Sequence, residues 1–146
     1  MNIQSLSVVI PAPCPNACPF CVARLNKFNS DFSVRGEMSH TAREAILRRM
    51  NFARDNGCNT LMLASTGEPF MNIPYLNDVL ALNRLLNNPF KWIELQTSGY
   101  GVLENFTGEV AREVSWVSLS MVDPLWLAIM IGLWGLNLTH LKLFQN

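Results

Sequence analysis

The chain has 146 residues, and its 11 Lys and Arg balance its 11 Asp and Glu, so it carries no net charge at neutral pH. With 49% hydrophobic and 15% charged residues it can bury a core, which excludes a disordered tail, and its length suits one domain rather than two. The balanced charge gives no reason to make nucleic acid or an anionic membrane the main partner, although a local basic patch would still permit nucleic acid.

The first ten residues lack the basic segment and long apolar core of a secretory leader. Three of the four cysteines, Cys14, Cys18 and Cys21, fall within eight residues. That crowding is unlike a disulfide framework and like a metal or redox site in a reducing compartment, so the expected location is the cytoplasm.

Ser5 to Ile10 reads as a buried strand. Pro11, Pro13, Pro15 and Pro19 follow, and that density of proline forbids helix and sheet ladder alike, which puts the cysteines on a stiff loop just past the strand. Ser39 to Asn56 reads as a helix. Thr41 to Glu44 fits a capping box, Ala42, Ile46, Met50 and Ala53 form the apolar stripe, and Gly57 supplies the stop. Asn59 to Ala64 is a second strand running into the turn Ser65-Thr66-Gly67-Glu68-Pro69. Pro74 opens a further helix that Asn87-Asn88-Pro89 ends. Lys91 to Gln96 is a third strand closed by Thr97-Ser98-Gly99. A third helix is expected through Leu103, Phe106, Val110 and Val114, and Trp116 to Met121 is a fourth strand. This alternation predicts an α/β fold with a parallel sheet or barrel, whose active face lies at the C-terminal ends of the strands. The cysteine loop, Thr66-Gly67-Glu68 and Thr97-Ser98-Gly99 all fall at that end. The four tryptophans, Trp92, Trp116, Trp126 and Trp134, read as packing residues.

Several metal and redox chemistries compete for the motif Cys14-x3-Cys18-x2-Cys21. Structural zinc wants a fourth ligand, for which Cys58, His40 and His140 are candidates without knuckle spacing. Cys58 itself reads as a small buried hydrophobe. A ferredoxin needs a fourth nearby thiolate, and a thioredoxin-like pair at Cys18-Pro19-Phe20-Cys21 leaves Cys14 without a role. A four-iron cluster held by three thiolates uses all three cysteines and leaves one iron open for a ligand.

The cysteine spacing, with Phe20 before the third cysteine, resembles the signature loop of the radical S-adenosylmethionine superfamily. Ser65-Thr66-Gly67-Glu68-Pro69 is similar to that family's Gly-Gly-Glu-Pro segment, with Thr66 in place of the first glycine. Gln96-Thr97-Ser98-Gly99 resembles its Thr-Asn-Gly turn. The resemblance covers roughly residues 5–123 and implies a partial parallel (β/α) barrel of the radical SAM type, with about four to five strand–helix units present. It implies that Cys14, Cys18 and Cys21 hold a [4Fe–4S] cluster whose open iron chelates S-adenosylmethionine. The backbone around Phe20 would meet the adenine, and Glu68 with the backbone of Thr66 and Gly67 would hold the amino group. Gln96 and Ser98 would face inward from the third strand, and Ser98, Ser118 and Ser120 would reach the ribose or carboxylate. The implied activity is that of an oxidoreductase. Reductive cleavage, fed by a reductant such as flavodoxin or ferredoxin, would yield methionine and a 5′-deoxyadenosyl radical that takes hydrogen from an unknown substrate. Glycyl-radical activation, small-molecule or purine-derivative chemistry, and peptide or RNA modification are all open.

The tail departs from that family. No charged residue lies between Pro124 and Thr139, and the stretch is shorter than the roughly 20 residues that span a bilayer. Residues 1–123 are expected to form the core and 124–146 an atypical apolar tail, a helix followed by a strand over Asn137 to Phe144. The C-terminal end is expected to be truncated or altered, with the cofactor half of the barrel mostly present. The alternatives are a cluster- and cofactor-binding protein without turnover and a zinc-stabilised interaction module.

Overall fold

The computed structural model describes residues 3–16, 18, 21–25, 36–120 and 141–144, with the backbone alone at 24–25 and 141–144. Five strands form one sheet in the order of the chain: β1 (Leu6–Ile10), β2 (Thr60–Ser65), β3 (Trp92–Thr97), β4 (Trp116–Ser120) and β5 (Leu141–Phe144). Every neighbouring pair is parallel. Parallel neighbours need a crossover, and helices supply it: α2 (His40–Asp55) between β1 and β2, α3 (Ile73–Leu85) between β2 and β3, and the short α4 (Val102–Asn105) and α5 (Gly108–Glu113) between β3 and β4. A single turn, α1 (Val22–Leu25), follows the cysteine loop.

The strand alternation divides the residues between two faces. Val8, Leu61, Leu63, Ile93, Leu95 and Val117 lie on one face and are nearly inaccessible to water. They share a single core with Ile46 and Met50 of α2, Leu76 and Leu80 of α3, Val102 of α4 and Val110 of α5. All four crossover helices therefore cover the same face. Consecutive crossovers of one hand, laid down without a reversal of strand order, give that result. The opposite face carries Val9, Met62, Ala64, Glu94, Gln96 and Ser118, and none of these joins the core.

The helix boundaries follow local chemistry, with two corrections to the sequence reading. The cap of α2 is Ser39, whose Oγ accepts the Ala42 amide at 3.3 Å; Thr41 lies inside the first turn. Asp78 of α3 accepts the Met38 amide at 2.7 Å and pairs with Arg43, so a tertiary contact sets the helix start two residues before the Thr41–Glu44 box. The expected third helix is two helices. It breaks at Phe106-Thr107, where the Phe106 ring stands edge-on to Phe70 at 6.5 Å. Gly57 (φ +81°), Asn87 (φ +63°) and Asn88 (φ +53°) adopt left-handed backbone just past α2 and α3, as helix-ending residues do. The tail expected at 124–146 lies outside the described residues except at 141–144, where a fifth strand is present inside the predicted span. Trp126, Trp134 and His140 are also outside them. No helix among the described residues is long and apolar enough to cross a membrane.

Candidate functional site

Three chain segments meet at the C-terminal ends of β1, β2 and β3, and backbone contacts tie them. Thr66 donates its amide to the Ile10 carbonyl at 3.1 Å, and its Oγ1 accepts the Ala12 amide at 3.3 Å. Glu68 donates its amide to the Pro13 carbonyl at 2.9 Å. Between them, Gly67 lies so close to the cysteine loop that an added Cβ would fall 2.2 Å from the Ala12 oxygen and 2.5 Å from the Pro13 oxygen. No side chain fits there, so glycine is required by close approach of the backbone rather than by its dihedral freedom. Ala12 is fully buried beneath this contact. The buried Asn72 adds a clamp, donating to the Pro11 carbonyl at 2.7 Å.

Glu68 is the most deeply buried acid in the described residues, only 1% exposed. Its Oε1 accepts the Thr97 hydroxyl at 2.5 Å and the Phe70 amide at 3.4 Å; its Oε2 accepts the Ser98 hydroxyl at 2.6 Å and the Ser98 amide at 2.9 Å. Burial pushes this carboxyl above its ordinary range, and the Ser98 and Thr97 donors pull it back. Four donors converge on the four acceptor positions of a carboxylate, the arrangement that suits the ionised form. The Ser98 hydroxyl in turn accepts from Asn16 Nδ2 of the cysteine loop at 3.0 Å. A polar chain thus runs from the cysteine loop through β3's turn to β2's turn.

Cys14, Cys18 and Cys21 are half-buried free thiols, and the Cys21 amide donates to the Cys18 carbonyl at 3.2 Å. Burial pushes the Cys14 thiol up, the Asn16 amide pulls it down, and Glu68, Cys18 and Cys21 push it further up. The Cys14 sulfur therefore senses the Glu68 carboxylate and its two neighbouring sulfurs. Ionised together they form a concentration of negative charge that a metal would neutralise, and soft thiolates suit iron or zinc. Among the described residues no three His, Cys, Asp or Glu side chains form a group that could hold a metal ion as the loop stands. Cys58 is 4% exposed, donates to the Thr60 carbonyl and belongs to the helix-side core, away from this loop.

The residues singled out in the sequence divide into two sets. The cysteines, Thr66, Gly67, Glu68 and Ser98 lie together at the strand ends. Gln96 and Ser118 stand in register on the helix-free face, where Ser120 also lies, exposed at the end of β4. Ser98 lies just beyond the end of β3 and points its hydroxyl at Glu68. Phe20 lies outside the described residues. Thr97 and Glu94, like the clamping Asn72, escaped the sequence reading. Thr97 shares the buried face with Ile93 and Leu95, yet its hydroxyl holds Glu68. Glu94 shares the face of Gln96 and accepts the Ser118 hydroxyl at 2.6 Å and the Gln96 amide at 3.2 Å. Carrying the strand alternation two residues back from Gln96 points to Glu94.

Comparison with protein-family models, with curated proteins and with solved structures found no match.

Proposed function

We propose that this chain is a radical S-adenosylmethionine protein, in which Cys14, Cys18 and Cys21 hold a four-iron cluster beside the Thr66-Gly67-Glu68 turn. The observation that carries the reading is the contact of Gly67 and Glu68 with Ala12 and Pro13, which seats one motif directly on the loop that bears the other. The donor set fits: three unpaired thiols share one loop, and no fourth cysteine stands near them among the described residues. Sequential strand order, with the crossover helices on one face, supports a partial (β/α) barrel over a doubly wound sheet, in which the order reverses. When bound, such a cluster supplies the electron that cleaves the sulfonium of S-adenosylmethionine, drawn from a reductant of the flavodoxin or ferredoxin kind. The chain's own part is to present three thiolates, keep water from the strand ends and orient the cofactor. In that arrangement Glu68 and the turn backbone face the amino group, and Gln96, Ser118 and Ser120 the ribose or carboxylate.

The test is anaerobic reconstitution with iron and sulfide, then reduction with S-adenosylmethionine present. The expected products are methionine and 5′-deoxyadenosine, and their absence rejects the catalytic reading. A second reading, a cluster- and cofactor-holding protein without turnover, draws support from Glu68, whose acceptor positions are filled by this chain's own donors. Bound iron, sulfide and cofactor without cleavage would establish it. One zinc and no sulfide would reject both.

A further inference from the structure

The helix-free face of the sheet carries a second polar cluster, centred on Glu94 and sharing Gln96 and Ser118 with the cofactor side of the site proposed above. Glu94, Gln96 and Ser118 lie on adjacent strands, with Gln96 and Ser118 in direct register. Both of their donors go to one oxygen, Glu94 Oε1, at 2.6 Å from Ser118 and 3.2 Å from Gln96. A carboxylate oxygen has two lone pairs, so Oε1 is filled. Oε2 has no hydrogen-bond partner among the described residues. The Gln96 side-chain nitrogen donates to Glu94, and its carbonyl oxygen, which accepts no hydrogen bond among the described residues, is left as a second acceptor. Two adjacent acceptors, one of them charged, form a half-buried pair on a face otherwise lined by Met62 and Ala64.

Aromatic rings flank the pair. Trp116 is in register with Glu94, and Trp92 lies two residues before Glu94 on the same strand face. Their rings are 6.3 Å apart and tilted by 41°. Trp92, expected as a packing residue, is 52% exposed. An accessible indole beside an acceptor-rich carboxylate is a setting in which a planar cation gains both charge-assisted hydrogen bonds and ring contact.

We propose that Glu94, oriented by Gln96 and Ser118 and flanked by Trp92, binds an amidinium or guanidinium group on the helix-free face. Two N–H donors of such a group match Glu94 Oε2 and the Gln96 carbonyl oxygen, and its plane suits the indole. The site requires neither the cysteine loop nor a bound cofactor, so metal-free protein tests it, and its failure leaves the cluster reading untouched. Lys142 occupies the register position beside Ser118 on the neighbouring strand.

Calorimetric titration of the metal-free protein with benzamidine, and in parallel with its neutral relative benzamide, is the test. Benzamidine is expected to bind saturably and at least about tenfold more tightly than benzamide, the ratio that one charge-assisted contact provides. Glu94→Gln preserves an oxygen for Ser118 and is expected to remove that preference while leaving the thermal transition in place. Equal binding of the two probes by the unaltered chain overturns the proposal without reference to any variant. So does an undiminished preference in a folded Glu94→Gln protein, or benzamidine binding that appears only in Lys142→Met, which would mean that the chain's own lysine fills the site.

Discussion

A methyl group placed on Gly67 would lie 2.2 Å from the Ala12 carbonyl oxygen, closer than any real Cβ comes to backbone. The obstacle is the main chain of the cysteine loop, which no side-chain rotation relieves. Gly67→Ala is therefore expected to displace that loop, with a loss of about 1–3 kcal/mol in denaturant unfolding, as overpacked sites show. Iron and sulfide uptake on anaerobic reconstitution should fall with it. Unchanged stability and full uptake would mean that the turn and the loop are not in contact.

The hydroxyl of Thr97 is the only side-chain donor to Glu68 Oε1 among the described residues, and the same oxygen of Thr97 accepts the Gly99 amide at 3.0 Å. Thr97→Val keeps the shape and removes the donor. It should cost roughly 1–3 kcal/mol, because a buried carboxylate loses a partner without regaining water. Thr97→Ser should recover most of that loss, a recovery that thermal or denaturant melting would register.

Glu68 titrates above its ordinary value because it is buried. A carboxyl raised on folding binds its proton more tightly in the native chain than in the unfolded one. Its contribution to stability is then full below the ordinary value near 4.5 and is lost as pH rises through the native value. The stability of the unaltered protein measured against Glu68→Gln should decline across that interval and level off above it. A flat difference, or one that grows with pH, would contradict the assignment.

The four cysteines should part company under substitution. Cys14→Ala, Cys18→Ala and Cys21→Ala are each expected to abolish retention of iron and sulfide. Cys58→Ala should leave both unchanged and cost about 1 kcal/mol of stability, since Cys58 is a core residue whose thiol makes its one described hydrogen bond to the Thr60 carbonyl. Elemental analysis and acid-labile sulfide on the four proteins separate the two outcomes.

Where local pattern and tertiary packing agree, the sequence was legible. The alternation in Lys91 to Gln96 and the stripe Ala42, Ile46, Met50 and Ala53 predicted both the elements and their buried faces, although Ala42 is only partly buried. Where contacts from distant segments decide, it was not. Asp78 selects Ser39 over Thr41 as a cap, and Phe70 meets Phe106 where the predicted third helix divides; neither is visible in a local window. The strand-end residues were recognisable because Gly67 and Glu68 sit in a turn after an apolar run. Thr97 was hidden because alternation assigns it to the core side, where a lone hydroxyl reads as packing. Glu94 was hidden because it lies inside the strand rather than in the turn that ends it.

The ordering of the sheet bears on how the protein is made. Each strand pairs with the one synthesised just before it, so every new strand–helix unit docks on an edge already in place. The cysteine segment and its glycine seat need only the first 68 residues to meet. Emerging from the ribosome, the nascent chain can assemble its thiol-bearing end while the later strands are still untranslated.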